Sequence, residues 1–295
     1  MNVLTEKIAN MSWQTVIIVM VVLLGIWFPL RKSENKHLKS IAETANSLAV
    51  ALGLVFLIIR PFIIQAFYIP SESMRPTLLE KDHIMVNKFI YRFKEPAFKD
   101  VVVFKAPAHA SPDNIEKDFI KRVIGVPGDV IRISAGYITV GGVPHSHDDL
   151  VERLRVFSKT GEGKVKLTLS GILVDGILVS NKDVATATMD MPEAKVKIFP
   201  GFVYKNGVLL KEPYTSEDCR DPYPDLNNER TDPAWIVKDK DGNDCVKIPK
   251  GKLLVMGDNR NNSNDARFWG LLDRKRILGK ALFKFWPLSR IGLIR

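Results

Sequence analysis

The chain has 295 residues, 46% of them hydrophobic and 26% charged, with a formal net charge of +10. That length supports one substantial globular domain plus accessory segments, and the composition excludes an extensively disordered, collagen-like or disulfide-dense protein. The basic residues are scattered along most of the chain without a stacking-aromatic motif, so the charge reads as attraction to anionic lipid headgroups, with no nucleic-acid partner expected.

Residues 11–30 (MSWQTVIIVMVVLLGIWFPL) carry no charge over twenty positions, enough to cross a hydrocarbon core of about 30 Å as a helix. The stretch is long for the core of a cleavable leader and runs into Trp27-Phe28-Pro29-Leu30-Arg31 with no small-x-small site, so a transmembrane helix is expected. A second span is expected at about 46–64, built on LAVALGLVFLII and continuing past Arg60 and Pro61, with Arg60 placed to snorkel to the interface. The loop between them, 31–45, holds Arg31, Lys32, Lys36 and Lys39, and short cationic loops stay in the cytoplasm. Residues 1–67 thus read as a membrane anchor, with both the N-terminus and everything after Phe67 outside the cytoplasm.

From Asp82 onward the texture changes to short β-branched runs between Gly, Pro and Asp: HIMVNKF, VVVFK, FIKRVIG, VIRI, GYITV, KLLVMG and GKALFKFW. Such runs predict a mostly β fold, and no long amphipathic helix is expected after residue 70. Residues 68–144 and 251–295 read as one β core, and 145–250, richer in polar loops, as a β-rich insertion. Cys219 and Cys245 fall in that insertion, in a compartment expected to be oxidising; a candidate disulfide between them would close a loop of 26 residues, the alternative being two free thiols.

Three segments carry candidate chemistry. The first, PSESMRPTL, sets Ser71 and Ser73 two residues apart, on one face if the chain is extended, which suits a nucleophile beside a hydroxyl donor. In the second, FIKRVIGVPGD, strand alternation puts Lys121 on one face with Phe119 and Val123, and Arg122 on the other with Ile120 and Ile124. A lysine among apolar neighbours loses solvation, its pKa falls, and the amine becomes a base. The third, Met256–Gly270, is dense in Asn, Asp, Arg and Ser and reads as either a solvated loop or a polar scaffold for that amine.

Other constellations fare worse. Gly161-Glu162-Gly163-Lys164 hints at a phosphate loop, but Ser158 stands where the first Gly, and Val165 where a Ser or Thr, would be needed. His145 and His147 beside Asp148 and Asp149 read as an exposed polar loop without a second ligand cluster, and no metal is expected.

PSESMRPTL, the VVVFK strand, FIKRVIGVPGD and GDNRNNSNDARFWG, in this order behind two apolar stretches, resemble the successive boxes of the type I signal peptidase family, over roughly residues 66–105, 119–133 and 251–287. Of the histidines, only His83 lies in these boxes, which speaks against a His-based triad. The resemblance implies two transmembrane helices followed by a membrane-associated antiparallel β-sheet catalytic domain. It implies a serine endopeptidase that cuts leader peptides from exported preproteins after a small-x-small motif, through an acyl-enzyme and without a cofactor. Ser73 matches the nucleophile and Lys121 the general base; Ser71 and the Ser73 amide match the oxyanion hole, and Ser263 the hydroxyl that orients the lysine. Asp265, Arg267 and Arg122 match a supporting ion-pair cluster, and Met74 the residue beside the nucleophile. The implied place is the bacterial inner membrane, multi-pass, with the catalytic domain on the periplasmic face. The implied partners are preproteins, the lipid bilayer and the secretion machinery. Glu72, Asn261 and Ala266 depart from the Gly, Asp and Ser frequent at those positions; the dyad is untouched. A dedicated protease with the same dyad, and a tethered β domain without catalysis, stay open.

Overall fold

The computed structural model describes residues 12–59 and 63–295. The chain opens with a helical hairpin, α1 (Trp13–Leu30) and α2 (Lys36–Gly53), α2 continuing as a π-helical turn over Leu54–Ile59. Met11, where the first span was expected to start, and Arg60, Pro61 and Phe62 near the end of the second lie outside the described residues. The expected loop 31–45 is shorter than read. Asn35 caps α2, its side chain accepting the His37 N–H at 2.9 Å, so the helix starts at Lys36. An apolarity count misses this start because the first turns of α2 are amphipathic: Ala42, Ala45 and Ala49 are buried and let the helices approach closely, as small residues do. Ile64, expected at the end of the second span, instead begins a strand. Among the described residues, one helical stretch, Lys36–Leu57, is long and apolar enough to cross a membrane; the apolar Gln14–Leu30 is shorter.

The central sheet has eight strands: β1 (Ile64–Tyr68), β2 (His83–Asn87), β3 (Val101–Lys105), β4 (Asp118–Gly125), β5 (Lys252–Met256), β6 (Leu272–Asp273), β7 (Ile277–Trp286) and β8 (Gly292–Leu293). The order is β1-β2-β7-β3-β4-β5-β6, with β8 also on β7, and every pairing is antiparallel. Both faces are covered, which is why β3 is a continuous apolar run. Val101 and Val103 pack on one side with Met74, Leu78, Ile84, Val86 and Ile120. Val102 and Phe104 pack on the other with Val123, Leu254, Ile131 and Val246. Each such side chain contributes about 1.5–3 kcal/mol on burial. In register, Lys121 of β4 stands opposite Val102 and Arg122 opposite Val101, so the two cations leave the strand on opposite faces.

A five-stranded sheet lies against the second face, in the order Val208–Leu209, Val203–Lys205, Val130–Ile133, Asp244–Lys247, Ile236–Lys238. Two three-stranded sheets and two short helices, α3 (His147–Arg153) and α4 (Asn181–Met189), build a separate core from Ile138, Val140, Leu150, Val165, Ile172 and Val184. The boundary drawn at residue 145 cuts through the strand Val143–Ser146, and Val130–Ile133 already pairs with strands of the insertion.

The candidate disulfide is not formed: Cys219 and Cys245 are both free and buried. Cys219 shares the main core with Val246, whereas Cys245, one residue earlier on the same strand, points to the opposite face. The sheet itself separates the thiols. Cys219 lies 3.7 Å from an Arg260 Nη1, and Cys245 Sγ meets the Asn243 carbonyl at 3.6 Å. Thiol titration of denatured, unreduced protein is expected to give two equivalents; none would restore the bridge.

Candidate active site

Ser73 sits in a 3₁₀ turn, Glu72–Met74, that follows β1. Ser71 is extended (φ −127°, ψ 160°), but Ser73 is not, so the two serines do not share an extended strand as expected. The turn still brings their hydroxyls to 3.4 Å. It is pinned from across the fold: the Asn259 N–H donates to the Ser73 carbonyl at 3.1 Å, and Asn259 Nδ2 donates to the Glu72 carbonyl at 3.1 Å. Met74 is fully buried in the core beneath, anchoring the turn.

Lys121 reaches this turn from the middle of β4. Its Nζ donates to Ser73 Oγ at 2.8 Å and to the Ile120 carbonyl at 3.0 Å, and lies 5.3 Å from the centre of the Phe119 ring. The residue is 4% exposed. Burial disfavours the ammonium and outweighs the pull of Asp265 and Asp258, with Arg267 repelling it further; the pKa falls to about 8. At pH 7.4 about one amine in five is then neutral, against roughly one in a thousand for a free lysine.

The polar segment Met256–Gly270 divides into separate anchors. Asp265 caps the short helix α5 (Ala266–Trp269) and is fully buried. One of its oxygens accepts from Arg267 Nε at 2.9 Å, the other from Arg267 Nη2 at 2.9 Å and the Gly257 N–H at 3.0 Å. Burial alone would raise this carboxyl, but Arg267 and these donors hold it below the usual carboxylate range. Arg122 does not join that pair, contrary to the expected cluster. Because it leaves β4 on the opposite face from Lys121, it forms its own buried bidentate pair with Asp258 at 2.7 and 2.6 Å, stacked 4.1 Å from the Tyr214 ring. Arg260 forms a third pair, with Glu212, at 2.7 Å through both nitrogens.

Ser263 also departs from its expected role. Its Oγ is buried without a hydrogen-bond partner among the described residues and makes no bond to Lys121. It packs against the nucleophile's backbone: a Cβ on Gly257 would lie 2.2 Å from Ser263 Oγ and 2.4 Å from the Ser73 carbonyl oxygen. Gly257 therefore permits the closest approach in the site. Sequence reasoning assigned no role to Gly257, Asp258 or Asn259. The signal available was their position directly after the β5 run, where a strand ends in a polar turn. His145 and His147 are not in an exposed loop: both are buried, His145 Nδ1 2.6 Å from Asp149 and His147 Nε2 3.3 Å from Asp218. Among the described residues, no group of three or more His, Cys, Asp or Glu is arranged to hold a metal.

The family model for signal peptidase, peptidase S26, matches residues 41–193 and 188–286. The chain is 32% identical to signal peptidase I of Aquifex aeolicus over 235 residues, covering 79% of this chain and 80% of that protein. It is 32% identical to signal peptidase I of Buchnera aphidicola subsp. Acyrthosiphon pisum over 287 residues, covering 87% and 78%. With a probable signal peptidase I-2 of Synechocystis sp. it shares 28% over 261 residues, covering 88% and 78%. The chain therefore belongs to the signal peptidase family, peptidase S26, and is a peptidase of the class that cleaves signal peptides from preproteins.

Proposed function

We propose that the chain hydrolyses preproteins through a Ser73–Lys121 dyad, and the 2.8 Å contact between the buried Lys121 amine and Ser73 Oγ is the observation that carries the reading. In its neutral form the amine accepts the Ser73 proton as Oγ bonds to the scissile carbonyl carbon. Charge on the resulting oxyanion meets the Ser71 hydroxyl and the Ser73 N–H. Collapse breaks the C–N bond, Lys121 returns its proton to the leaving amine, and a water then attacks the acyl-enzyme with Lys121 again as base. Asp265 and Arg267 stiffen the wall behind the amine, Arg122 does so through Asp258, and Ser263 fills the contact between that wall and the Ser73 backbone. Met74 holds the nucleophile turn from below.

The expected cut follows a small-x-small motif at the end of a leader whose apolar part is still in the bilayer. Residues 1–67 serve as a multi-pass anchor in a bacterial inner membrane, with 68–144 and 251–295 as catalytic core and 145–250 as insertion, all on the periplasmic face and within reach of the secretion machinery. The outward-facing Ile18, Val21, Phe28, Leu48 and Val50 of the hairpin support lipid contact. A periplasmic reporter fused after residue 110 is expected to be active and one fused within 31–39 inactive; the reverse would overturn this topology.

Incubating the detergent-solubilised protein with a preprotein and locating the cut by mass spectrometry tests the activity: a single cut after the small-x-small site supports it, and an uncut preprotein removes it. Ser71→Ala keeps the nucleophile and loses one oxyanion donor, so kcat is expected to fall about a hundredfold. An unchanged kcat would take Ser71 out of the oxyanion hole.

A further inference from the structure

Beside the Ser73 turn lies a cleft of about 410 Å³, walled by Glu72 and Asn259 on one side and by His147, Glu162, Lys164 and Arg220 of the insertion on the other. Its charges largely neutralise one another: Glu162 lies 2.8 Å from Lys164 and 3.6 Å from Arg75, and Arg220 lies 3.1 Å from Asp148. The lining is hydrophilic without a dominant sign. Two polar atoms on its walls are nevertheless left over. Asn259, 1% exposed, commits Nδ2 to the Glu72 carbonyl, while its Oδ1 has no partner among the described residues. His147, 3% exposed, commits Nε2 to the Val165 carbonyl at 3.1 Å and to Asp218, while its Nδ1 has none. Buried polar groups are paired almost without exception, so walls that leave an amide oxygen and a ring nitrogen free suit a polar occupant.

We propose that this cleft holds the stretch of substrate on the mature side of the scissile bond, extended, with Asn259 Oδ1 accepting a main-chain N–H and His147 Nδ1 bonding a further main-chain group. The proposal rests on the Ser73–Lys121 reading. Contiguity places the occupant: Asn259 is the residue that pins the nucleophile turn, and Glu72 precedes Ser73 directly. Chemistry chooses the side of the cut. The leader's end is small and apolar, and seating it against paired charges would strip their water without return, whereas the residues after the cut begin a soluble protein and bring polar groups of their own. Glu72 belongs to this wall, its carboxylate held by Asn262 Nδ2 at 3.1 Å. Because the wall's charges are already paired, the cleft reads main chain and does not select the sign of a mature-side residue.

The test compares two substrates with the full-length enzyme: a leader peptide continued by several mature residues, and the same leader ending at the cut in an aminocoumarin amide. The wild type is expected to show a KM about tenfold lower for the continued peptide, the effect of one or two peptide hydrogen bonds. N-methylation of the contacted mature-side amide is expected to erase that advantage, with no change to the protein. His147→Leu is expected to bring the ratio of the two KM values toward one, whereas mere structural damage would leave the ratio intact. Equal KM values for the two substrates in the wild type, or an N-methyl scan of the mature side without effect, would overturn the cleft's role. Failure of the wild type to cut the continued peptide would instead sink the dyad reading beneath it.

Discussion

Lys121→Arg is expected to be as inactive as Lys121→Ala. Arginine keeps the length and charge of the side chain, so if position 121 only supplied a cation, substantial activity would survive. A general base must instead shed its proton. Burial brings the Lys121 amine to about 8, within reach at physiological pH, but a guanidinium with a pKa above 12 stays charged in a protein. The Arg variant also has to fit a planar group into the space between Ser73 Oγ and the Ile120 carbonyl. The same ionisation fixes the pH profile: the amine is protonated and idle below its pKa and free above it. Wild-type kcat/KM is therefore expected to rise through about pH 8 and level off above it. Preprotein cleavage by purified, correctly folded Lys121→Arg near the wild-type rate, or a profile flat across pH 7–9, would sink the dyad mechanism.

Ser73→Ala is expected to remove activity by on the order of a million-fold, the scale on which loss of a nucleophile acts in a serine protease. The substitution deletes a single oxygen from a residue that is 7% exposed, and the turn around it is held by its backbone: Asn259 binds the Ser73 carbonyl, and Met74 fills the core below. Lys121 keeps the Ile120 carbonyl as partner. Stability is therefore expected to change by only about 1 kcal/mol, the net worth of one hydrogen bond. The variant should still bind preprotein, which a pull-down with uncut substrate would register. Rate loss without loss of folding or binding separates a nucleophile from a scaffold residue. Residual turnover within tenfold of wild type would place the nucleophile elsewhere.

Much of this architecture was legible before any coordinate. Strand β3 reads directly from VVVFK, and β4 from FIKRVIG, because alternation and β-branching are local properties of a pleated chain. The same alternation put Lys121 and Arg122 on opposite faces, and the ordered motifs pointed to Ser73 and Lys121 as a pair. Helix α4 was equally available and was not read: Ser180 caps it and bonds Asp183, a start signal with too short an apolar stripe behind it. What the local text could not carry was any relation between distant segments. Ser73 and Lys121 are 48 positions apart, and their contact depends on how β1, β2, β7, β3 and β4 order themselves in the sheet. Tertiary packing likewise decided that Asp258 takes Arg122 while Asp265 takes Arg267, although both carboxylates lie in one polar turn. It set Cys219 and Cys245 on opposite faces of one sheet, where compartment and loop length alone allowed a bridge. Periodicity, caps and turns follow from neighbours along the chain, but which buried charge meets which, and which hydroxyl meets the amine, follows from strand order and from the requirement that every charge taken out of water find a partner.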